Sequence, residues 1–336
     1  MSDIGISFVP LWLIVLVKSG IVLLVVITTF AYAMLFERKV MGWMQLRPGP
    51  NRVGPWGLMQ PAADAVKMMF KEDLTPNTAD RLIYMLAPFI SLICAMGVFA
   101  IIPFSGSTGT GPWSVGDVNA GILFVFALSS VGIYGITLAG WSSGSKFPLL
   151  GSVRATAQMI SYELSMSMSV IGVLILAGST SLSAIVGSQH RVWFIVPQIV
   201  GFVIYLITAI AETNRAPFDL VEAETELVGG FHTEYSGLRF GLFFIAEYLN
   251  MITVSCLATL LFLGGWNPLF GPADNAIIGL LWFVAKVALF MFIYIWLRTT
   301  LPRFRYDRLM DFGWKVLFPI ATLNLVITAV IVAVGG

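Results

Sequence analysis

The sequence predicts an all-α polytopic membrane protein with eight transmembrane helices, a cytoplasmic-side interfacial amphipathic helix and a long acidic loop between helices 5 and 6. Three observations predict it. The 336 residues are 58% hydrophobic and only 11% charged, against about 25% charged in soluble domains, and the mean hydropathy is +0.89. Eight apolar windows are each long enough to cross a bilayer, which takes about 20 residues. The basic residues gather in alternate connections.

The windows run over 9–36, 82–104, 118–140, 154–178, 192–212, 238–263, 276–298 and 314–334. The first is too long for a cleaved signal peptide and is followed directly by Glu37, Arg38 and Lys39, so it is expected to stay as a span. An even number of spans puts both termini on one side. Sixteen of the 19 Lys and Arg fall in the connections after spans 1, 3, 5 and 7, seven of them between Arg38 and Arg81. Positive residues collect in cytoplasmic loops, so both termini are expected on the opposite face. The whole chain, 1–336, reads as a single integral membrane domain.

The net charge of +1 gives no electrostatic basis for binding nucleic acid. Cys94 and Cys256 stand in apolar runs without metal-ligand spacing and are read as packing residues. In the first cytoplasmic connection, RPGPNRVGP turns the chain and 57–71 takes a helical pattern. Gln60, Asp64, Lys67 and Lys71 fall on one face, with Leu58, Met59, Ala62, Val66, Met69 and Phe70 on the other. Such a helix lies in the membrane interface. It is either an anchor or, with Asp64, the edge of a portal for a lipid-soluble ligand. The Gly-, Ser- and Pro-rich stretches near 105–117, 178–190 and 264–275 read as outer connections, and Pro302 and Pro319 as helix ends or kinks.

Three ionisable groups fall near the middle of spans. At 1.5 Å per residue, Glu163 lies about 14 Å and Glu247 about 12 Å from the inner ends of spans 4 and 6, and Lys286 about 15 to 18 Å from either surface. A charge at a helix centre costs roughly 2.5 to 3.5 kcal/mol, so these groups are expected to face the bundle interior, paired or wetted. They either pair structurally or relay protons.

Six of the 18 acidic residues, Glu212, Asp219, Glu222, Glu224, Glu226 and Glu234, crowd into one stretch opposed only by Arg215 and Arg239. Pro217 is suited to start a short helix on which Asp219, Glu222 and Glu226 share a face and Glu224 turns away. A solvated acidic loop is the plain reading over 213–237. The interleaved Phe218, Leu220, Val221, Leu227 and Val228 favour a loop folded back onto protein.

ERKVMGWMQLRPGPN at 37–51, GLMQPAADAVK at 57–67 and ETNRAPFDLVEAETELVGGFHTEYSG at 212–237 closely resemble the quinone-chamber membrane subunit of proton-pumping NADH:quinone oxidoreductase, respiratory complex I. This is the H subunit of the bacterial enzyme and subunit 1 of the mitochondrial one. The resemblance covers essentially the whole chain. It implies a subunit with quinone as substrate and no flavin, iron-sulfur cluster or metal of its own, inactive outside its complex. Arg38, Asp64 and Arg298 match positions lining the quinone tunnel. Asp219, Glu222, Glu224 and Glu226 match the segment coupling quinone chemistry to the membrane. Glu163, Glu212 and Glu247, with Arg154 and Lys286 nearby, match the proton-coupling path toward the antiporter-like subunits. Implied partners are the peripheral-arm subunits with the quinone pocket and terminal iron-sulfur cluster, the small and antiporter-like membrane subunits, and lipid. The implied location is a bacterial inner membrane with periplasmic termini, or the mitochondrial inner membrane if organellar. Two other readings stay open here: a stand-alone proton-coupled transporter or channel, and the equivalent subunit of a complex with another electron donor.

Overall fold

The computed structural model describes residues 10–106, 113–190, 192–219, 228–268 and 275–335, and these form helices and turns without a strand. The helices are α1 (Leu11–Met44), α2 (Gln60–Met69), α3 (Arg81–Gly97), α4 (Gly121–Ser142), α5 (Lys146–Ala177), α6 (Leu182–Ser188), α7 (Ile199–Glu212), α8 (Gly237–Phe262), α9 (Ala276–Thr300), α10 (Tyr306–Phe312) and α11 (Phe318–Gly335). A π-helical turn, Gly313–Leu317, joins α10 to α11. Among the described residues, seven helical stretches are long and apolar enough to cross a membrane, with α10 and α11 counting as one.

The remaining window, 192–212, behaves differently. Turns occupy its first part, and α7 has 14 residues, about 21 Å of helix against the roughly 30 Å of a bilayer core. Pro197 accounts for the late start, because a proline disfavours helical geometry at the residue before it. Other limits also move. The fourth helix begins at Lys146, eight residues before the expected 154, since Ser145 is extended and Pro148 fits a first helical turn. The last begins at Tyr306, and its π-helical turn lies just before Pro319, which cannot donate to the helical ladder.

α8 is the axis of the bundle, with every residue from Met251 to Phe262 buried. A helix apolar all round suits that position. α1 lies at the other extreme, with Trp12, Leu16, Ile21 and Leu24 all exposed, and in a bilayer such a face meets lipid or another chain. α3, α4 and α5 pack closely through glycines. No Cβ could be accommodated at Gly135 beside Ser91, or at Gly140 beside Ser152, as small residues allow close backbone approach in membrane bundles.

Of the expected interfacial helix, Gln60–Met69 is helical. Its polar side packs inward, with Asp64 buried, while Met69 and Phe70 are exposed. Only the ends of the acidic loop are described; Glu222, Glu224 and Glu226 lie outside the described residues.

Candidate functional site

Where α1 passes α8 and α9, a chain of buried charges begins. Glu37, in the C-terminal third of α1, is 2% exposed. Its Oε1 accepts a hydrogen bond from Nη1 of Arg298, near the end of α9, and lies 3.4 Å from Nη1 of Arg215. Arg215 follows α7, and its Nε is 2.6 Å from Oε1 of Glu247 on α8. The guanidinium also stacks 4.5 Å from the ring centroid of Tyr248. Burying one of these charges alone would be costly. Two acids alternating with two arginines leave no net charge.

Arg38 follows Glu37 but points to a different face of α1. Its Nη1 donates to Oδ2 of Asp64 at 2.8 Å, and Gln60 and Lys67 donate to the other carboxylate oxygen. Burial works to raise the Asp64 pKa, but the hydrogen bonds from Lys67 and Gln60 and the charges of Arg38 and Lys67 outweigh it. The carboxyl is held below its ordinary value. α1 and α2 meet along a seam of Met34, Leu35, Arg38, Pro61 and Asp64 that has no room for a water. Thus Arg38 and Asp64 meet directly, while Arg298 stands one residue away on Glu37.

On the inner side of this network lies a chamber of about 70 Å³ among α3, α4, α5, α7 and α8, room for roughly two to five waters. Glu212, Glu247, Ser129, Asn214, Asn250 and Thr253 contribute its polar lining. Glu247 therefore faces both the ion-pair network and the chamber. Glu163 adjoins it through α4: Ser130 donates to Glu163 Oε1 at 2.5 Å, and Ser129 reaches the same oxygen at 3.2 Å.

The start of the acidic loop is tied to the segment after α9. Arg303 Nη2 donates to Asp219 Oδ2 at 3.1 Å, the Phe304 amide donates to the Pro217 carbonyl, and the rings of Phe218 and Phe304 stack at 5.6 Å. Gln158 of α5 donates to the carbonyls of Ala211 and Phe218, fixing both ends of the turn after α7. Arg154, one turn earlier on α5, lies 5.6 Å from the ring of Tyr306.

A sequence profile described as NADH dehydrogenase matches residues 17–329. The chain belongs to this family. It is 50% identical over 323 residues to an H subunit of the NADH-quinone oxidoreductase of Symbiobacterium thermophilum, covering 96% of this chain and 97% of the relative. To the NADH-quinone oxidoreductase H subunit of Deinococcus deserti it is 52% identical over 335 residues, covering 95% and 85%. The protein of the same name from Rhodospirillum centenum is 47% identical over 330 residues, covering 98% and 97%.

One expected neighbour of the carboxylates in this NADH dehydrogenase family member is elsewhere. Lys286 does not join Glu163 or Glu247: its Nζ donates to the carbonyls of Leu263, Gly265 and Asn267 at 2.6 to 2.8 Å and sits 4.5 Å from the Trp193 ring. Leu263 is 16 residues along from Glu247, about 24 Å of helix. Depth alone misplaces the ammonium because a helical side chain leans toward its own helix's N-terminus. From α9 that direction leads to the free carbonyls at the C-terminal end of α8.

Glu37, Arg215 and the serine pair are functional candidates that the sequence does not single out. Glu37 is within reach of the reasoning applied to span centres once it is extended to span ends, since spans 1 and 7 end together at Glu37 and Arg298. Serines inside a span carry no comparable signal.

Proposed function

We propose that this chain is the membrane-embedded H subunit of a proton-translocating NADH-quinone oxidoreductase, an eight-span inner-membrane protein forming one membrane domain with both termini on the periplasmic side. The observation that carries this reading is relatives of that name at about half identity over nearly the whole chain. In it α7, though short, is the fifth span, and α2 lies in the cytoplasmic interface with Met69 and Phe70 toward lipid or a partner subunit. Other subunits of the complex supply the electron donor side and the redox centres, and quinone is the substrate.

In this proposal α1 and α2 part along their closed seam to pass the quinone headgroup by the Arg38–Asp64 pair toward Glu37 and Arg298, which line the membrane part of its tunnel. Reduction takes place beyond this chain. A change of charge or proton demand there bears on the acidic loop, whose Asp219 is held by Arg303, and on Glu37. Arg215 is the common partner of Glu37 and Glu247, so a shift at one alters the hold on the other. Glu247 and Glu212 then exchange protons across the chamber, and Glu163 carries the change outward through the bundle. Arg154 sits beside this path, and Glu222, Glu224 and Glu226 belong to the same coupling segment. Lys286 enters as a structural support of α8.

Glu163→Gln and Glu247→Gln, made in the assembled complex in native membranes, test this. Glu163→Gln is expected to leave complex content unchanged on a native gel and Glu247→Gln to lower it in part, because it takes a partner from Arg215; each is expected to reduce quinone-dependent proton translocation per complex by about tenfold or more, the scale of a lost proton-transfer group. Full pumping stoichiometry and rate in both variants would overturn the coupling role.

A further inference from the structure

A hydroxyl stands between Glu163 and the chamber. Ser129 Oγ lies 3.2 Å from Glu163 Oε1, and Ser129 shares the chamber lining with Glu212, while Glu163 lies behind that lining. Glu212 is buried, and its Oε2 makes no hydrogen bond to the described residues. Ser129 has one proton and two acceptors within reach, Glu163 Oε1 and the Phe126 carbonyl at 3.1 Å. A serine hydroxyl donates one hydrogen bond and accepts two, and its rotor turns freely among staggered positions. Ser130, by contrast, has a single short contact, 2.5 Å to Glu163 Oε1, within the range of a charge-assisted O–H···O⁻ bond.

We propose that Ser129 is the relay between Glu212 and Glu163, and that Ser130 is the positioning residue that keeps Glu163 turned toward it. The step is a chain of proton hops. A protonated Glu212 gives its proton to a water in the chamber as that water gives one to Ser129 Oγ and the Ser129 proton passes to Glu163 Oε1, so every O–H bond broken is matched by one formed on the next oxygen. Glu212 becomes the carboxylate, Glu163 the acid, and the hydroxyl is regenerated. Rotation of Oγ, with the Phe126 carbonyl as resting acceptor, resets the wire. A chamber with room for water spans the gap between Glu212 and Ser129, and the hydroxyl alone spans the gap to Glu163.

This inference rests on the coupling role proposed for Glu163, and the experiment separates the two. In membranes holding the assembled complex, quinone-dependent turnover is measured in H2O and D2O for Ser129→Ala, Ser129→Thr and Ser130→Ala, per complex on a native gel, beside Glu163→Gln. Ser129→Ala is expected to slow turnover by about tenfold and to enlarge the solvent isotope effect, with Ser129→Thr close to the parent. Ser130→Ala is expected to give a smaller loss, roughly two- to threefold, because the relay itself remains. Should alanine lower complex content, the isosteric pair Ser129→Thr and Ser129→Val gives the same comparison, since only one keeps the hydroxyl. Normal turnover in Ser129→Ala, or equal slowing in the threonine and valine forms, would overturn the relay. If Glu163→Gln is slow in that case, the coupling role stands and water carries the proton; if Glu163→Gln is also normal, both fail.

Discussion

The two buried acid clusters differ in what surrounds them. Around Glu37, each carboxylate meets a guanidinium, and Arg215 serves two acids at once. Around Glu163 the neighbours are two hydroxyls, and Glu212 borders the chamber. Guanidinium pairing fixes charge in place, because an arginine does not give up its proton. Hydroxyls and water let a proton move without moving heavy atoms. The molecule thus sets an electrostatic latch beside a chamber lined by carboxyls and hydroxyls, and Glu247 belongs to both.

Removing the latch is expected to have the largest effect on the fold. Arg215→Ala leaves Glu37 and Glu247 buried without their shared partner, a loss of about 3 to 5 kcal/mol for a broken buried pair, read as a severe drop in assembled complex on native gels. Restoring neutrality by adding Glu37→Gln and Glu247→Gln should recover part of the assembly. If Arg215→Ala assembles as well as the parent, the latch is not holding the bundle. The Glu163 and Ser129 variants are expected to act oppositely, slowing turnover while preserving assembly, and Glu247→Gln, which takes a partner from Arg215, to show part of both effects.

A smaller effect is expected at Lys286, which resembles the latch in being buried and satisfied but has carbonyl partners. Lys286→Met strands three acceptors at the end of α8 and should cost about 1 to 3 kcal/mol, seen as a lower melting temperature of the complex with the quinone reaction intact in the surviving fraction. A pumping defect without destabilisation would move Lys286 back into the proton path.

The smallest effect concerns Asp64. Its folded pKa is lowered, so the stability it contributes is present above the ordinary carboxylate pKa of about 3.9 and is lost as pH falls through the folded value. Protection factors for amide exchange over 60–69 should be unchanged from pH 8 to 5 and fall only below about pH 4. Arg38 is 44% exposed, so Asp64→Asn should loosen α2 by no more than about 1 kcal/mol. A strong change near pH 7 would contradict this pairing.

The class of fold is legible in the sequence because span length and apolar composition follow directly from bilayer thickness. Seven long helices lie close to their expected windows, and Glu212 and Glu247 meet at one chamber. Partner choice is harder to read. Depth along a helix says nothing about its rotation, so depth groups Lys286 with acids that it does not touch, and the pairing of Glu37 with Arg215 depends on how α1 and the post-α7 turn cross. Pro197 marks the late start of α7, but only packing reveals what satisfies the backbone before it.

That unwound stretch has a consequence for how the chain matures. Peptide groups outside a helix have no partner in lipid and are tolerated at membrane depth only when protein supplies one. Here the Ile195 amide donates to the Phe262 carbonyl, and the side chain of Gln198 donates to Thr328 and accepts from Asn324. Those partners are synthesised about 65 to 130 residues later, from the end of α8 and from α11. The segment before α7 therefore cannot reach its final form until they are made; in the time order of biogenesis, its backbone waits for α8 and its side chains for the C-terminal helix.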